Sequence, residues 1–167
     1  QYIIDHPKND LHLNITSNMC PPDKKLKEKY FNMLNNICLE EKVEHVMQFV
    51  SVDAWGKHAE YIRHGLDFDY MMSNVEEFLD RIPHRNSITF IITYNNLSVV
   101  SLDKLLEHIL YLRKKYSKTY QRVWFDIPLL RQPAWQQITL LPESYQQIHM
   151  DNIEYMRQNS DENNGLH

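Results

Sequence analysis

Cysteine is scarce in this chain. Only Cys20 and Cys38 occur in 167 residues, and two thiols cannot build a disulfide framework. A long apolar run and a leader-like start are also missing, so the chain reads as cytoplasmic with no membrane contact. A basic excess is missing too. The net charge is −4, whereas a duplex binder shows a basic face and a high pI, so no nucleic-acid partner is expected. The short basic clusters Lys24-Lys25-Lys27-Lys29 and Arg113-Lys114-Lys115 stand among acids and helix formers and read as solvated helix faces. Nine histidines invite a metal site, yet no His-x-x-x-His or His-x-His pair occurs. His58 and His64, the histidines near Asp53, are six residues apart, a rotation of about 240° around a helix. No repeat of fixed period is present. The chain opens on Gln1 rather than Met, which gives the expectation that further residues lie upstream.

What is present suits one folded domain. Hydrophobic residues make up 43% and charged residues 24%, with ten Tyr, six Phe and three Trp; disordered chains lack that apolar and aromatic content. Leu11 to Ser17 alternates and predicts a strand. Pro21 and Pro22 then open a helix over Asp23 to Lys42, whose apolar stripe is Leu26, Tyr30, Phe31, Met33, Leu34, Ile37 and Cys38. Val43 to Val52 predicts a second strand, nearly continuous in apolar residues at its end, as strands covered on both faces are. A short helix over Lys57 to His64 ends at Gly65. Another runs from Asp69 to Ile82 on a face of Met72, Val75, Phe78, Leu79 and Ile82. Ser87 to Tyr94 is the third strand, and a helix to Tyr116 buries Leu105, Leu106, Ile109, Leu110 and Leu112. Gln121 to Ile127 is the fourth strand. An irregular loop over Pro128 to Pro142 and a helix from Glu143 to Arg157 follow, then a polar tail over 159–167.

Strands alternating with helices argue for a parallel sheet with right-handed crossovers. The fold class is therefore α/β, a partial parallel (β/α) barrel of about four βα units spanning residues 1–158. Such sheets carry their chemistry at the C-terminal strand ends. Polar residues do collect there: Thr16-Ser17-Asn18, Ser51 and Asp53, Thr93 to Asn96, and Asp126. Ser51 and Asp53 flank Val52 and so share one face of the strand. The same residue types also serve turns and helix caps.

The segment Phe49-Val50-Ser51-Val52-Asp53-Ala54-Trp55-Gly56, followed by Ala59-Glu60-Tyr61-Ile62-Arg63-His64-Gly65, resembles the fourth strand and following helix of radical S-adenosylmethionine (radical SAM) proteins, in particular those with a twitch C-terminal region. Thr16-Ser17-Asn18 resembles the end of the preceding strand, and Ile88 to Asn96 the next one. Phe125-Asp126-Ile127-Pro128, Leu130-Arg131-Gln132-Pro133 and Leu140-Leu141-Pro142 resemble the strand and loop after that. The resemblance implies that Ser51 contacts the SAM amino acid or ribose, with Asp53 beside it. It further implies that Arg63 faces the methionine carboxylate, that Ser17 and Asn18 line the pocket, and that Asn95 or Asn96 approaches the adenosine. Glu60 is the alternative partner of Arg63. An intact family member cleaves SAM to a 5′-deoxyadenosyl radical, which abstracts hydrogen from a substrate; nothing in this chain names that substrate. The [4Fe-4S] cluster needs three thiolates in a C-x3-C-x2-C loop. That loop and the Gly-Gly-Glu-Pro stretch are absent from this chain, so the cluster is expected only in an intact protein. Trp55, Trp124 and Trp135 are core residues or line a substrate pocket. Two other readings compete: a metal-dependent hydrolase on a similar barrel, and a non-catalytic module that self-associates through an open sheet edge.

Overall fold

The computed structural model describes residues 2–83 and 85–160. A short helix α1 (Tyr2–Asp5) precedes β1 (Lys8–Ser17), α2 (Lys24–Leu39), β2 (Val43–Ser51), α3 (Lys57–Ile62) and α4 (Phe68–Arg81). Then come β3 (Ser87–Ile91), α5 (Leu102–Tyr116), β4 (Val123–Asp126) and α6 (Glu143–Gln158). The four strands pair in parallel in the order β1-β2-β3-β4. The chain is α/β, with helices between consecutive parallel strands, and this is the expected partial-barrel arrangement.

The order explains where the core sits. Right-handed crossovers between strands that follow one another across a sheet place every connecting helix on the same face. Burial alternates accordingly. Val46, Gln48, Val50 and Val52 of β2 and its exit are fully buried, as are Ile88, Phe90 and Ile92 along β3 and Val123 on β4. Beneath them pack Phe31, Leu34 and Ile37 of α2, Met71, Val75 and Phe78 of α4, and Leu105, Leu106 and Ile109 of α5. The strand residues between them look the other way. His12, Asn14 and Thr16 are exposed, Met47, Phe49, Ser51 and Ile91 are half-buried, and Trp124 and Asp126 are exposed. The expectation that β2 is covered on both faces is therefore corrected: helices cover one face only.

Other differences from the sequence reading have physical causes. Pro21 and Pro22 stand before α2, not in its first turn, because the Asp23 carboxylate accepts from the Leu26 amide at 2.8 Å and caps the helix at Lys24. Leu26 is 47% exposed rather than buried. Arg113 does not face solvent. It is buried, with its Nε donating to the Val123 carbonyl at 2.9 Å and its guanidinium over the Phe125 ring. Trp124 and Trp135 are surface residues at 44% and 65% exposure; only Trp55 packs against the core. β3 stops at Ile91, and Tyr94 forms an isolated parallel bridge to Leu129. The expected polar tail lies, from residue 161 on, outside the described residues. Among those described, no helix is long and apolar enough to cross a membrane.

Candidate functional site

Three clusters form where the strands end. The first is a clasp over the exit of β2. The chain leaves Ser51, buries Val52, and turns through Gly56, whose φ of 57° and ψ of −130° suit glycine alone. No atom lies within 4 Å of where its Cβ would stand, so the requirement is conformational rather than steric. Helix α3 then runs only to Ile62, and Arg63 leaves it with φ of −115° and ψ of 87°. Its Nε donates to Asp53 Oδ2 at 2.7 Å and its Nη2 to Oδ1 at 3.1 Å. Asp53 Oδ1 also accepts from the Thr93 amide at 3.0 Å, beyond the end of β3. The carboxylate is 7% exposed and the Arg63 side chain 33%. One buried anion thus ties together two strand exits and a helix end. Glu60 is engaged elsewhere, by Lys57 Nζ at 2.7 Å and the Phe68 amide at 3.2 Å. Both contacts hold its carboxyl below the usual range.

Beside the clasp, the open face carries polar groups with no protein partner. The side chains of Thr16, Ser51, Thr93 and Asp126 make no hydrogen bond among the described residues, and none of the four is fully buried. Ser51 pairs in register with Ile91, and Ile91 with Asp126, so Ser51 and Asp126 belong to one row across the sheet.

The second cluster is at the exit of β1. Ser17 Oγ accepts from the Met19 amide at 3.2 Å and from Gln48 Nε2 at 3.0 Å, and Asn18 Oδ1 accepts from the Cys20 amide at 3.0 Å. Ser17 and Asn18 line a cavity of about 280 Å³. The third is at the exit of β3. Asn95 is a turn residue, its Oδ1 accepting from the Leu97 amide at 2.9 Å and its Nδ2 donating to the Thr93 carbonyl at 2.9 Å. Asn96 holds the 128–142 loop, donating from Nδ2 to the Trp135 carbonyl at 2.9 Å. With His58, Tyr61 and Tyr145 it lines a wider cleft of about 450 Å³.

The residues expected to share one pocket are therefore divided. Ser51, Asp53 and Arg63 lie together, Ser17 and Asn18 lie at another strand exit, and Asn96 lies in a third place. Neither the β1 cavity nor the Asn96 cleft is lined by Ser51, Asp53 or Arg63. What the sequence reading missed is the Gln48–Tyr30 pair beneath Ser17, described below; a glutamine inside an apolar strand was its only signal.

The donor set does not fit an iron–sulfur cluster. The chain has two cysteines. Cys38 is buried, with its thiol pushed up to about 11, mainly by that burial, and Cys20 points its thiol at the Asp67 carbonyl. Among the described residues no group of three His, Cys, Asp or Glu could hold a metal ion. In comparisons with known proteins, no family model, no curated protein and no solved structure matches this chain.

Proposed function

We propose that this chain is a SAM-binding portion of a radical SAM enzyme core, with the ligand lying on the open face at the C-terminal strand ends. The observation that carries the reading is the set of unpartnered polar side chains near the Asp53–Arg63 clasp, two of them (Ser51 and Asp126) in one row, on the one sheet face that no helix covers. Thr16, Ser51, Thr93 and Asp126 offer hydroxyl donors and a carboxylate to a polar ligand such as a ribose or an amino acid. Arg63 has two of its nitrogens on Asp53, so its remaining Nη1 is the group left for a ligand carboxylate. The residues that match the family's strand-four block form this exit. The cluster's thiolates are not in this chain, so we assign it binding and no radical step. In an intact enzyme of this kind, SAM would yield the 5′-deoxyadenosyl radical that takes hydrogen from a substrate still to be identified.

Equilibrium dialysis against SAM tests the proposal. Ser51→Ala is expected to weaken binding about five- to tenfold, the worth of one hydrogen bond of roughly 1–1.5 kcal/mol. Absence of saturable SAM binding, or unchanged affinity in Ser51→Ala, refutes it.

A second reading is favoured by the bare sheet face itself. Met47, Phe49, Ile91 and Trp124 leave apolar surface on it, and β1 and β4 are unpaired edges. Self-association through this face and its edges would cover both. Sedimentation velocity separates the readings: a dimer that Trp124→Lys dissociates supports assembly, and a monomer at all concentrations rejects it.

A further inference from the structure

Where α5 gives way to β4, a short connection runs from Ser117 to Arg122, at the end of the strands opposite their exits. Lys118, Thr119 and Tyr120 are exposed there. Their amides, the Lys118 ammonium and the two hydroxyls make no hydrogen bond among the described residues. Exposed donors are ordinarily served by water. These border a cleft of about 250 Å³ lined by Lys115, Tyr116, Lys118, Thr119, Tyr120 and Arg122. Cations make up half of that lining, and no acid belongs to it.

Arg122 is the buried cation of the set, at 1% exposure. Its guanidinium is spent on the carbonyls of Leu79, Ile82 and Asn86, all of them neutral. Asp80 acts on it only from a distance. A buried charge bonded to neutral groups alone keeps much of its desolvation cost. An anion in the cleft lowers that cost through its field, without touching the guanidinium. Lys115 Nζ reaches Glu76 at 2.7 Å and has two further protons to donate. A helix C-terminus turns partial negative charge toward such a connection, and Arg113, Lys114 and Lys115 in the last turn of α5 answer it.

We propose that this cleft is a binding site for a phosphate group carried on a small ester. A phosphate brings three acceptor oxygens and most of two negative charges. The free donors match it in kind: the ammonium groups of Lys115 and Lys118, the Thr119 hydroxyl and the backbone amides of the connection. A carboxylate would leave part of that set unused, and an ammonium ligand would be repelled. The cleft is larger than a bare phosphate, and Tyr116 and Tyr120 supply ring surface for the body of the ester. The chain as a whole carries a net charge of −4, which repels a polyanion and favours a small ester over a nucleic acid. The site stands apart from the open face and does not rest on the reading given for it.

Isothermal titration calorimetry with inorganic phosphate and with phenyl phosphate, at matched ionic strength, tests the proposal. Both are expected to bind saturably, and phenyl phosphate at least about threefold more tightly because its ring has the tyrosines to pack on. Lys118 is exposed and unpaired, so Lys118→Gln is expected to melt like the wild type. It should weaken phenyl phosphate binding about five- to tenfold, the loss of one charge-assisted hydrogen bond. Lys104→Gln removes another exposed, unpaired lysine, which lines a different cleft, and should leave the affinity unchanged. Absence of saturable binding, or equal weakening in the two lysine variants, overturns the proposal. Equal affinity for the two ligands overturns the assignment to an ester and leaves the cleft to the free anion.

Discussion

Removing either partner of the Asp53–Arg63 clasp should destabilise the fold measurably, and removing both should cost less than the sum. Asp53 accepts three hydrogen bonds, two from Arg63 and one from the Thr93 amide, at 7% side-chain exposure. Breaking a fully buried ion pair by deleting one partner costs about 3–5 kcal/mol. Arg63 is one-third exposed, so water screens its half of the pair and the expected cost falls to about 2 kcal/mol for Arg63→Gln. Asp53→Asn keeps the shape and the Thr93 contact but turns an amide toward the guanidinium; about 2 kcal/mol is expected there as well. The double variant should recover roughly 1 kcal/mol as coupling, because the charge left alone in each single variant is gone. Urea unfolding with unchanged m-value reads these differences, and each single variant should melt about 4–8 °C lower. Single variants within 0.5 kcal/mol of wild type, or strict additivity, would refute the view that this buried anion holds the strand exits together.

Two further outcomes follow from buried groups. Arg122 is fully buried and donates to the carbonyls of Leu79 at 2.7 Å, Ile82 at 2.9 Å and Asn86 at 2.9 Å, so it closes the C-terminal end of α4; Arg122→Met should cost about 3 kcal/mol by urea unfolding, whereas Arg113→Met, which removes an unpartnered Nη1 along with one hydrogen bond, should cost under about 1 kcal/mol. Burial lowers the pKa of His45, with His12 and Arg85 adding to it against Glu44, and burial lowers that of His108, with Lys115 adding to it against Glu76. The unfolded chain therefore binds more protons than the fold below about pH 6.5, and stability should fall between pH 7.5 and 5.5; His45→Gln combined with His108→Gln should flatten that slope in thermal melts.

The layered order was legible because period and burial agree. Met72, Val75, Phe78 and Leu79 recur at helical spacing and are buried on α4, and Leu105, Leu106 and Ile109 do the same on α5. The buried arginines were not legible. A cation in a run such as Arg113-Lys114-Lys115 looks solvated until a strand carbonyl and an aromatic face arrive from elsewhere in the chain, and Arg122 meets its carbonyl partners from 36 to 43 residues away. The partner of Arg63 was equally hidden. Three residues of helix would bring it beside Glu60, but α3 ends at Ile62, and the released Arg63 turns back to the strand exit instead. Trp124 and Trp135 failed the expectation of a core role because β4 is an edge strand whose residue 124 looks toward the bare face, and residue 135 sits in the exposed loop. Helix α1 escaped notice because four residues carry no period to read.

These facts divide the molecule's polar chemistry by face. On the helix side the polar groups answer one another: Arg122 serves carbonyls, Asn86 holds the Val46 amide at 2.7 Å, and Gln48 bridges Tyr30 to Ser17. Exceptions remain among the described residues: Asn74 Oδ1 and His108 Nε2 have no partner, and their residues line clefts of about 280 and 400 Å³. On the open side Ser87 Oγ and His45 Nε2 pair at 3.1 Å, whereas Thr16, Ser51, Thr93 and Asp126 answer nothing within the described chain. A side chain with internal partners adds to stability when kept, while one without them adds little unless a ligand or a second surface supplies the other half of the bond. The Asp53–Arg63 clasp belongs to both sets, since it fixes the strand exits and stands near the unanswered side chains. Under the proposed function a ligand carboxylate at Arg63 Nη1 would share the guanidinium with Asp53, so ligand binding there is expected to be linked to the stability of the strand exits.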